Sequence, residues 1–121
     1  MKASLNRANE ALRAAHLLLK SGEFKDSVSR AYYAMFHTAR ALLNQKGVTA
    51  KTHKGTQQMF DLHIIKNNDL SRKYGELFRK AFNLRQKSDY EVYTEFNKSE
   101  VEETVNNAED FVKTIEKLLK Q

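Results

Sequence analysis

The sequence predicts an all-α protein, an up-and-down antiparallel helical bundle of four main helices plus a shorter one. The 121 residues contain no proline and only four glycines, so few positions break a helix. Apolar residues recur at three- and four-residue spacings, and no stretch alternates as a strand does. Short connections between long amphipathic helices favour antiparallel neighbours, and the length suits a single domain over residues 1–121.

The first two predicted helices form the N-terminal part of the chain. The first spans about residues 3–20, and Gly22 beyond it suits a left-handed C-cap. The second spans about residues 24–46 and ends at Gly47. We therefore expect two long helices joined by a very short turn.

The second predicted helix lacks the charged face of a surface helix. One broad stripe has core-type side chains: Val28, Ala31, Tyr32, Met35, Phe36, Ala39, Leu42 and Leu43. The opposite side has Arg30, Tyr33, Ala34, His37, Ala41 and Asn44. A surface helix would usually expose several Lys and Glu side chains there. We expect that something other than water packs on this side, so it is a candidate site or interface.

The third and fourth predicted helices follow a short loop. Thr52 is the expected N-cap of the third helix, whose apolar spacing is the least regular in the chain and which residues 67–68 end. The fourth opens near residues 69–71 and fades around residues 88–90.

The fifth predicted helix has the clearest start signal. Ser99, followed three residues later by Glu102, has the spacing of a capping box, in which the two side chains bond to free backbone N–H groups. Apolar side chains then recur from Val101 to Leu118. We expect Ser99 to be the N-cap of this helix.

Charge is unevenly distributed along the chain. The formal net charge is +6, but residues 1–87 carry 17 Lys and Arg against 6 Asp and Glu, and residues 88–121 carry 4 against 9. The net values are +11 and −5. A basic body attracts phosphate-rich or acidic partners, so an anionic ligand is a candidate.

Composition also excludes several classes of protein. The absence of cysteine excludes a disulfide framework, a thiolate metal site and a cysteine nucleophile, and it fits a reducing cytoplasm. No apolar run approaches the roughly 20 residues that span a bilayer. The N-terminus lacks the pattern of a signal peptide. We expect a cytoplasmic protein without membrane contact.

The pattern of histidines does not favour a metal site. His16, His37, His53 and His63 lie in different predicted segments, and no Glu stands three residues before any of them. The chain also has no phosphate-binding glycine loop and no glycine-flanked serine nucleophile. We expect no metal, no cofactor and no catalytic residue.

The turn before the third helix is a candidate anion site. Lys51, His53 and Lys54 surround the expected N-cap, where free N–H groups and the positive end of the helix dipole attract an anion. An ordinary capped helix start is the favoured interpretation, and an anion site is the alternative.

A second polar cluster lies at the end of the fourth helix. Arg85 supplies a planar donor fork suited to phosphate or carboxylate. Asp89 lies four residues later on the same face, so a structural ion pair with Arg85 is the favoured interpretation. Tyr90 and Tyr93 follow and add aromatic rings.

Three segments in order carry a resemblance to a known family. They are Ser29-Arg30-x-Tyr32-Tyr33-Ala34-x-Phe36-His37, then Lys51-Thr52-His53-Lys54-Gly55, then Leu84-Arg85-x-x-x-Asp89-Tyr90. In this order they resemble the HEPN (higher eukaryotes and prokaryotes nucleotide-binding) domain family, and in particular its small stand-alone archaeal and bacterial members.

The resemblance implies a helical bundle that commonly forms a homodimer. It also implies a minimal nucleotidyltransferase as partner, in a toxin–antitoxin-like system. Catalytic HEPN proteins cleave RNA without metal by an Arg followed, after four to six residues, by a His. After Arg85 the corresponding positions are Tyr90, Glu91 and Val92, so the imidazole is missing. Arg30 and His37 have the spacing, but they lie mid-helix in another segment.

Three hypotheses follow from these residues and the resemblance. The favoured one is a non-catalytic module that binds nucleotide, RNA or a protein partner. Its surface would consist of Arg30, Tyr33, His37, Arg85, Asp89, Tyr90 and Tyr93. The alternatives are a metal-independent ribonuclease toxin with an altered Arg/His site and a purely structural dimeric bundle.

Overall fold

The computed structural model describes residues 2–90 and 95–120, and over these residues it is all-helical, without a strand. The five α-helices are α1 (Lys2–Lys20), α2 (Phe24–Gln45), α3 (His53–Phe60), α4 (Arg72–Tyr90) and α5 (Lys98–Leu119). A π-helical turn, Asp61–Ile65, continues directly from α3. The all-α prediction is confirmed. None of the described helices combines the length and the hydropathy needed to cross a membrane.

α2 is the central helix of the fold, since it packs against α1, α3, α4 and α5. Ala34 and Ala41, on the side opposite the core stripe, are fully buried. Small side chains at these positions let neighbouring helices approach closely. At these two alanines, other helices of the same chain pack on this side of α2. This confirms, for the two positions, the expectation that something other than water packs there.

Aromatic rings join four elements in the core. Phe60 of α3 lies 5.4 Å from both Phe78 of α4 and Phe111 of α5, measured between ring centres. Tyr32 of α2 stacks on Phe78 at 6.1 Å. Fully burying one such side chain stabilises the fold by roughly 1.5–3 kcal/mol. These contacts hold α2 and α4 side by side, which positions the candidate site.

Polar contacts show the relative direction of α1 and α5. Asn9 donates to Glu116 at 2.8 Å, and His16 lies 3.3 Å from Glu109. Residue numbers rise along one helix as they fall along the other, so α1 and α5 run in opposite directions. The up-and-down order of the complete bundle stays a prediction.

The helix starts confirm one predicted N-cap and correct another. Thr52 accepts a hydrogen bond from the Gly55 backbone N–H at 2.8 Å, so it caps α3 as expected. The prediction of Ser99 for α5 is wrong. Asn97 is the N-cap, since its side-chain oxygen accepts from the Glu100 N–H at 2.7 Å. Asn is among the strongest N-caps, and the helix starts two residues earlier than the capping box implies.

The π-helical turn explains the irregular spacing of the third predicted helix. The Lys66 N–H bonds to the Asp61 carbonyl five residues earlier, at 2.9 Å. A wider turn shifts the face on which later side chains lie, so a constant period fails there. The segment ends at Asn68, whose φ of 62° is left-handed. The predicted break at residues 67–68 is confirmed.

Candidate functional site

Tyr33 of α2 and Arg85 of α4 form the centre of the candidate site. Arg85 donates from Nη2 to the Tyr33 hydroxyl at 2.9 Å, and its Cζ lies 4.8 Å from the centre of the Tyr33 ring. The same Cζ lies 5.3 Å from the ring centre of Tyr32. Asp89 lies 3.4 Å from Nη2, so the predicted Arg85–Asp89 ion pair is confirmed.

Arg85 is a largely buried cation. Its side chain is 19 % exposed, and its Nε is buried without a hydrogen-bond partner among the described residues. Cation–π contacts with two tyrosine rings and the ion pair with Asp89 stabilise the charge. Because its Nη2 already bonds to Tyr33 and pairs with Asp89, Arg85 acts here mainly to fix the Tyr33 ring.

His53, the first residue of α3, packs into the same cluster. Its Nδ1 lies 2.8 Å from the hydroxyl of Tyr32, and its ring stacks on Phe36 with 4.3 Å between centres. Burial raises the pKa of Tyr32 far above its ordinary value, although Arg85 opposes the rise. The hydroxyl therefore stays protonated, and which of the two groups donates in its hydrogen bond with Nδ1 depends on the imidazole tautomer. Burial, Arg85 and Arg40 lower the pKa of His53.

His37 lies one turn after Tyr33 on α2. Its ring lies nearly parallel to that of Tyr33, with 6.1 Å between centres. Burial lowers the pKa of this imidazole, and the positive charges of Arg7 and Arg40 and its proximity to His53 lower it further. His37 is therefore neutral at pH 7.

A groove between α1 and α2 runs past these side chains. Its first compartment has a volume of about 510 Å³ and is lined by Arg7, Glu10, Ala11, Ala14, Arg30, Tyr33 and His37. Its second compartment, of about 370 Å³, is lined by Leu18, Asp26, Ser29, Arg30 and Tyr33. Because Arg30 and Tyr33 line both compartments, the two adjoin. We call the pair the α1–α2 groove.

Arg7 and Arg30, which line the groove, and Arg40, which lies outside both linings, keep their charge available. Among residues 2–90 and 95–120, Arg7, Arg30 and Arg40 form no ion pair. Arg40 lies over the Phe36 ring, 5.5 Å from its centre. Arginine binds phosphate through a planar fork of donors, so an unpaired set beside aromatic rings suits an anion that carries a planar group.

The structure brings five of the predicted surface residues together. Arg30, Tyr33 and His37 line the α1–α2 groove, while Arg85 and Asp89 lie on α4 and contact Tyr33 or its partner. The second and fourth helices are thus neighbours, which the predicted surface requires. Their assignment as binding residues stays a prediction.

The other predicted residues are more scattered. Tyr90 is 82 % exposed, and Tyr93 lies outside the described residues. In the predicted anion site, His53 bonds to Tyr32 (see above), whereas Lys51 and Lys54 are exposed and form no hydrogen bond or ion pair within the part of the chain that the structure describes. Apart from the helix start and its two lysines, no feature of the described residues points to an anion here.

Sequence reasoning missed Arg7 and Glu10, which line the groove, and Arg40, whose charge acts on His37. Arg40 follows His37 by three residues on α2, a spacing that places both on one helix face, so it could have been found. Arg7 and Glu10 of α1 left no comparable signal, because only the packing of α1 on α2 brings them to Arg30. Tyr32 was assigned to the core stripe; it is buried, but its hydroxyl also orients His53.

The donor set of the site does not suit a metal ion. Nowhere in residues 2–90 and 95–120 do three His, Asp or Glu side chains gather in a metal-binding arrangement. The groups that meet at the groove are guanidinium groups, a phenol, an imidazole and two separate carboxylates. Such groups suit hydrogen bonding and stacking with an organic anion.

Comparisons with known proteins identify the family. The HEPN domain model matches residues 1–118. A protein of Methanocaldococcus jannaschii named "Putative toxin MJ0605" is 38% identical over 121 residues, which cover 100% of this chain and 90% of that protein. A Thermotoga maritima "UPF0332 protein" is 34% identical over 113 residues, 93% of this chain and 86% of that protein. The resemblance inferred from the three motifs is thus confirmed, and the chain belongs to the HEPN domain family.

Proposed function

We propose that this chain is a toxin-like HEPN protein that binds RNA or a nucleotide in the α1–α2 groove, without catalysing a reaction. The observation that carries the proposal is the meeting of Arg7, Arg30 and a neutral His37 around the Tyr33 ring. Two relatives from Methanocaldococcus jannaschii are named as putative toxins, which supports the toxin-like part.

The chemistry of the groove matches single-stranded nucleic acid. Arg7 and Arg30 supply fixed positive charge for phosphate oxygens, and Tyr33 supplies a flat ring on which a base stacks. Arg85 holds the Tyr33 hydroxyl from behind, so the ring is already oriented before a ligand arrives. A pre-oriented ring loses little conformational entropy on binding.

The proposal is tested by fluorescence anisotropy with a labelled 2′-O-methyl RNA hexamer, which resists cleavage at its 2′ position. We expect Arg30→Ala to weaken binding by about tenfold, because charge-assisted hydrogen bonds to phosphate are lost. The matched control is Arg13→Ala, which removes the same charge from an exposed position of α1 that does not line the groove. Equal losses in the two variants, or no binding by the wild type, would contradict the proposal.

The proposal includes a minimal nucleotidyltransferase as protein partner and a homodimer as the state of this chain. Membership of the HEPN family supports both. Light scattering coupled to size-exclusion chromatography tests them, first with this chain alone and then after mixing with a nucleotidyltransferase encoded beside it. A monomer that elutes separately from that protein would contradict this part.

A metal-independent ribonuclease is the second candidate function. Arg30 and His37 line the same compartment, and a neutral imidazole can accept a proton from a ribose hydroxyl at pH 7. Incubation with mixed RNA in EDTA distinguishes the two functions, with His37→Ala as the test variant and His63→Ala as the control. Cleavage that only His37→Ala abolishes would favour the ribonuclease; intact RNA throughout would favour the binding module.

A further inference from the structure

We infer that the α1–α2 groove selects, within single-stranded RNA, two consecutive nucleotides whose bases carry an exocyclic amino group. In this arrangement Glu10 and Asp26 each accept a hydrogen bond from one base, and Arg30 binds the phosphate between them. The inference rests on the proposed function, because it requires RNA in the groove. It adds a sequence preference and two specificity-determining residues.

The shape of the groove supports two subsites rather than one. The smaller compartment, at about 370 Å³, has the volume of about a dozen liquid waters, which is room for a base and part of its sugar. Between Arg7 and Leu18, which line the two compartments, α1 rises about 16 Å. Stacked bases lie only about 3.4 Å apart. A groove about 16 Å long therefore suits two bases that lie apart from each other rather than stacked.

Arg30 and Tyr33 occupy the boundary between the subsites. Both line the two compartments, so a phosphate at Arg30 has one nucleoside on each side. A base in either compartment reaches the Tyr33 ring. Arg30 and Tyr33 therefore supply the contacts that do not depend on the base sequence: Arg30 provides charge and Tyr33 a stacking surface.

Each compartment contains one carboxylate, Glu10 in the first and Asp26 in the second. Within the described part of the chain, neither side chain forms an ion pair or a hydrogen bond. A carboxylate repels phosphate and so weakens general binding of RNA. What it contributes is acceptance of hydrogen bonds from N–H donors, since an ionised carboxylate is an acceptor only.

This chemistry discriminates between bases of the same size. Cytosine presents an amino group that a carboxylate accepts well, and Glu and Asp are known readers of that group. Uracil presents a carbonyl oxygen at the same position, and its single ring N–H lies between two carbonyl oxygens that a carboxylate repels. The groove should therefore prefer cytosine to uracil, whereas phosphate contacts alone would not distinguish them.

The test measures binding of two 2′-O-methyl hexamers, one of cytidine and one of uridine, by anisotropy without metal. We expect the wild type to bind the cytidine hexamer about tenfold more tightly. Glu10→Gln should lower this ratio mainly by improving uridine binding, because the Gln amide can donate to a carbonyl. The double variant Glu10→Gln/Asp26→Asn should bring the ratio close to one.

The control is Glu102→Gln, which removes the same charge from the exposed face of α5 and should leave the ratio unchanged. Melting curves establish that each variant is folded, and Glu10→Gln alone carries the test if Asp26→Asn, in the first turn of α2, is unstable. Equal binding of both hexamers to the wild type would overturn the inference but not the proposed function. Binding of neither hexamer would overturn both.

Discussion

The guanidinium group of Arg85 lies against two tyrosine rings and beside one carboxylate. Its Nη2 donates to the Tyr33 hydroxyl, and its side chain is only 19 % exposed. Tyr33 in turn lines both compartments of the α1–α2 groove. One side chain from α4 thus orients a ring that belongs to a groove between α1 and α2, which makes Arg85 a positioning residue in the proposed function.

Replacement of Arg85 tests this role through stability. Arg85→Ala should lower the free energy of unfolding by about 2 kcal/mol, because it removes a charge-assisted hydrogen bond from a buried cluster. Arg79→Ala is the control: Arg79 pairs with Asp61 at 3.1 Å but its side chain is 51 % exposed, so the loss should stay below about 1 kcal/mol. Urea denaturation measures both. Equal losses would show that the Arg85 cluster is no stronger than a surface pair.

Two partly buried imidazoles, those of His37 and His53, predict how stability depends on pH. The pKa values of His37 and His53 are lowered from 6.5 in the folded chain, mainly by burial. As pH falls below about 6.5, the unfolded chain therefore binds protons before the folded chain does, and the free energy of unfolding decreases. The stability that the two neutral imidazoles contribute is fully present above pH 6.5 and is lost as pH falls through their pKa values in the folded chain.

The measurement is urea denaturation of the wild type and of His37→Gln/His53→Gln across this pH range. The double variant should be less stable at pH 7 but should lose less stability on acidification. A loss as steep as that of the wild type would mean that other groups cause the pH dependence.

At the scale of elements, the π-helical turn after α3 packs closely against α4. Gly75 of α4 is buried against this turn, and a Cβ atom there would lie 3.0 Å from a carboxylate oxygen of Asp61 and 3.2 Å from Ile65. Asp61 also forms an ion pair with Arg79 of α4. The turn and the helix are therefore joined by this ion pair and by the close approach of the Asp61 and Ile65 side chains to the Gly75 backbone. This packing orients α4 and thereby Arg85.

The start of α5 provides a prediction at the same scale. Asn97→Ala should lower the free energy of unfolding by about 1 kcal/mol, because the Glu100 N–H loses its acceptor. Ser99→Ala is the matched control and should change stability by less than about 0.5 kcal/mol, since Ser99 is exposed within the first turn. Thermal melting of the two variants measures the difference. A larger loss for Ser99→Ala would restore the capping-box assignment.

At the scale of the whole molecule, α5 neutralises one side of a basic body. Lys73 and Lys80 of α4 pair with carboxylates of α5 at 2.9 Å and 2.7 Å. On α1, His16 lies 3.3 Å from the α5 residue Glu109. The arginines at the α1–α2 groove have no such partners within the described residues. Carboxylates of α5 thus pair with lysines of α4, whereas Arg7 and Arg30 stay unpaired in the groove, which Glu10 and Asp26 also line.

This arrangement predicts the salt dependence of RNA binding. Arg7→Ala and Arg30→Ala should each reduce the slope of log affinity against log salt by about one, because one phosphate contact is lost. Lys73→Ala should leave the slope nearly unchanged, since Lys73 is already paired with Asp110. Anisotropy titrations between about 50 and 200 mM salt measure the slopes. Equal slopes in all three variants would place the binding surface elsewhere.

The all-α class, the approximate bounds of the helices and most of the residues around Tyr33 could be predicted from the sequence. These properties depend on local features: apolar spacing, helix caps such as Thr52, and a motif within one helix. The sequence also indicated the Arg85–Asp89 pair, because the two lie one turn apart.

Only the tertiary structure decided which distant residues meet. Arg7 and Glu10 reach Arg30 because α1 packs on α2, and His53 reaches Tyr32 across 21 positions of sequence. Asp61 and Ile65 of the π-helical turn likewise meet Gly75 of α4 through the packing of these two elements. Helix periods define the face on which a residue lies, but the alignment of one helix with another depends on the packing of the whole core, which local spacing does not reveal.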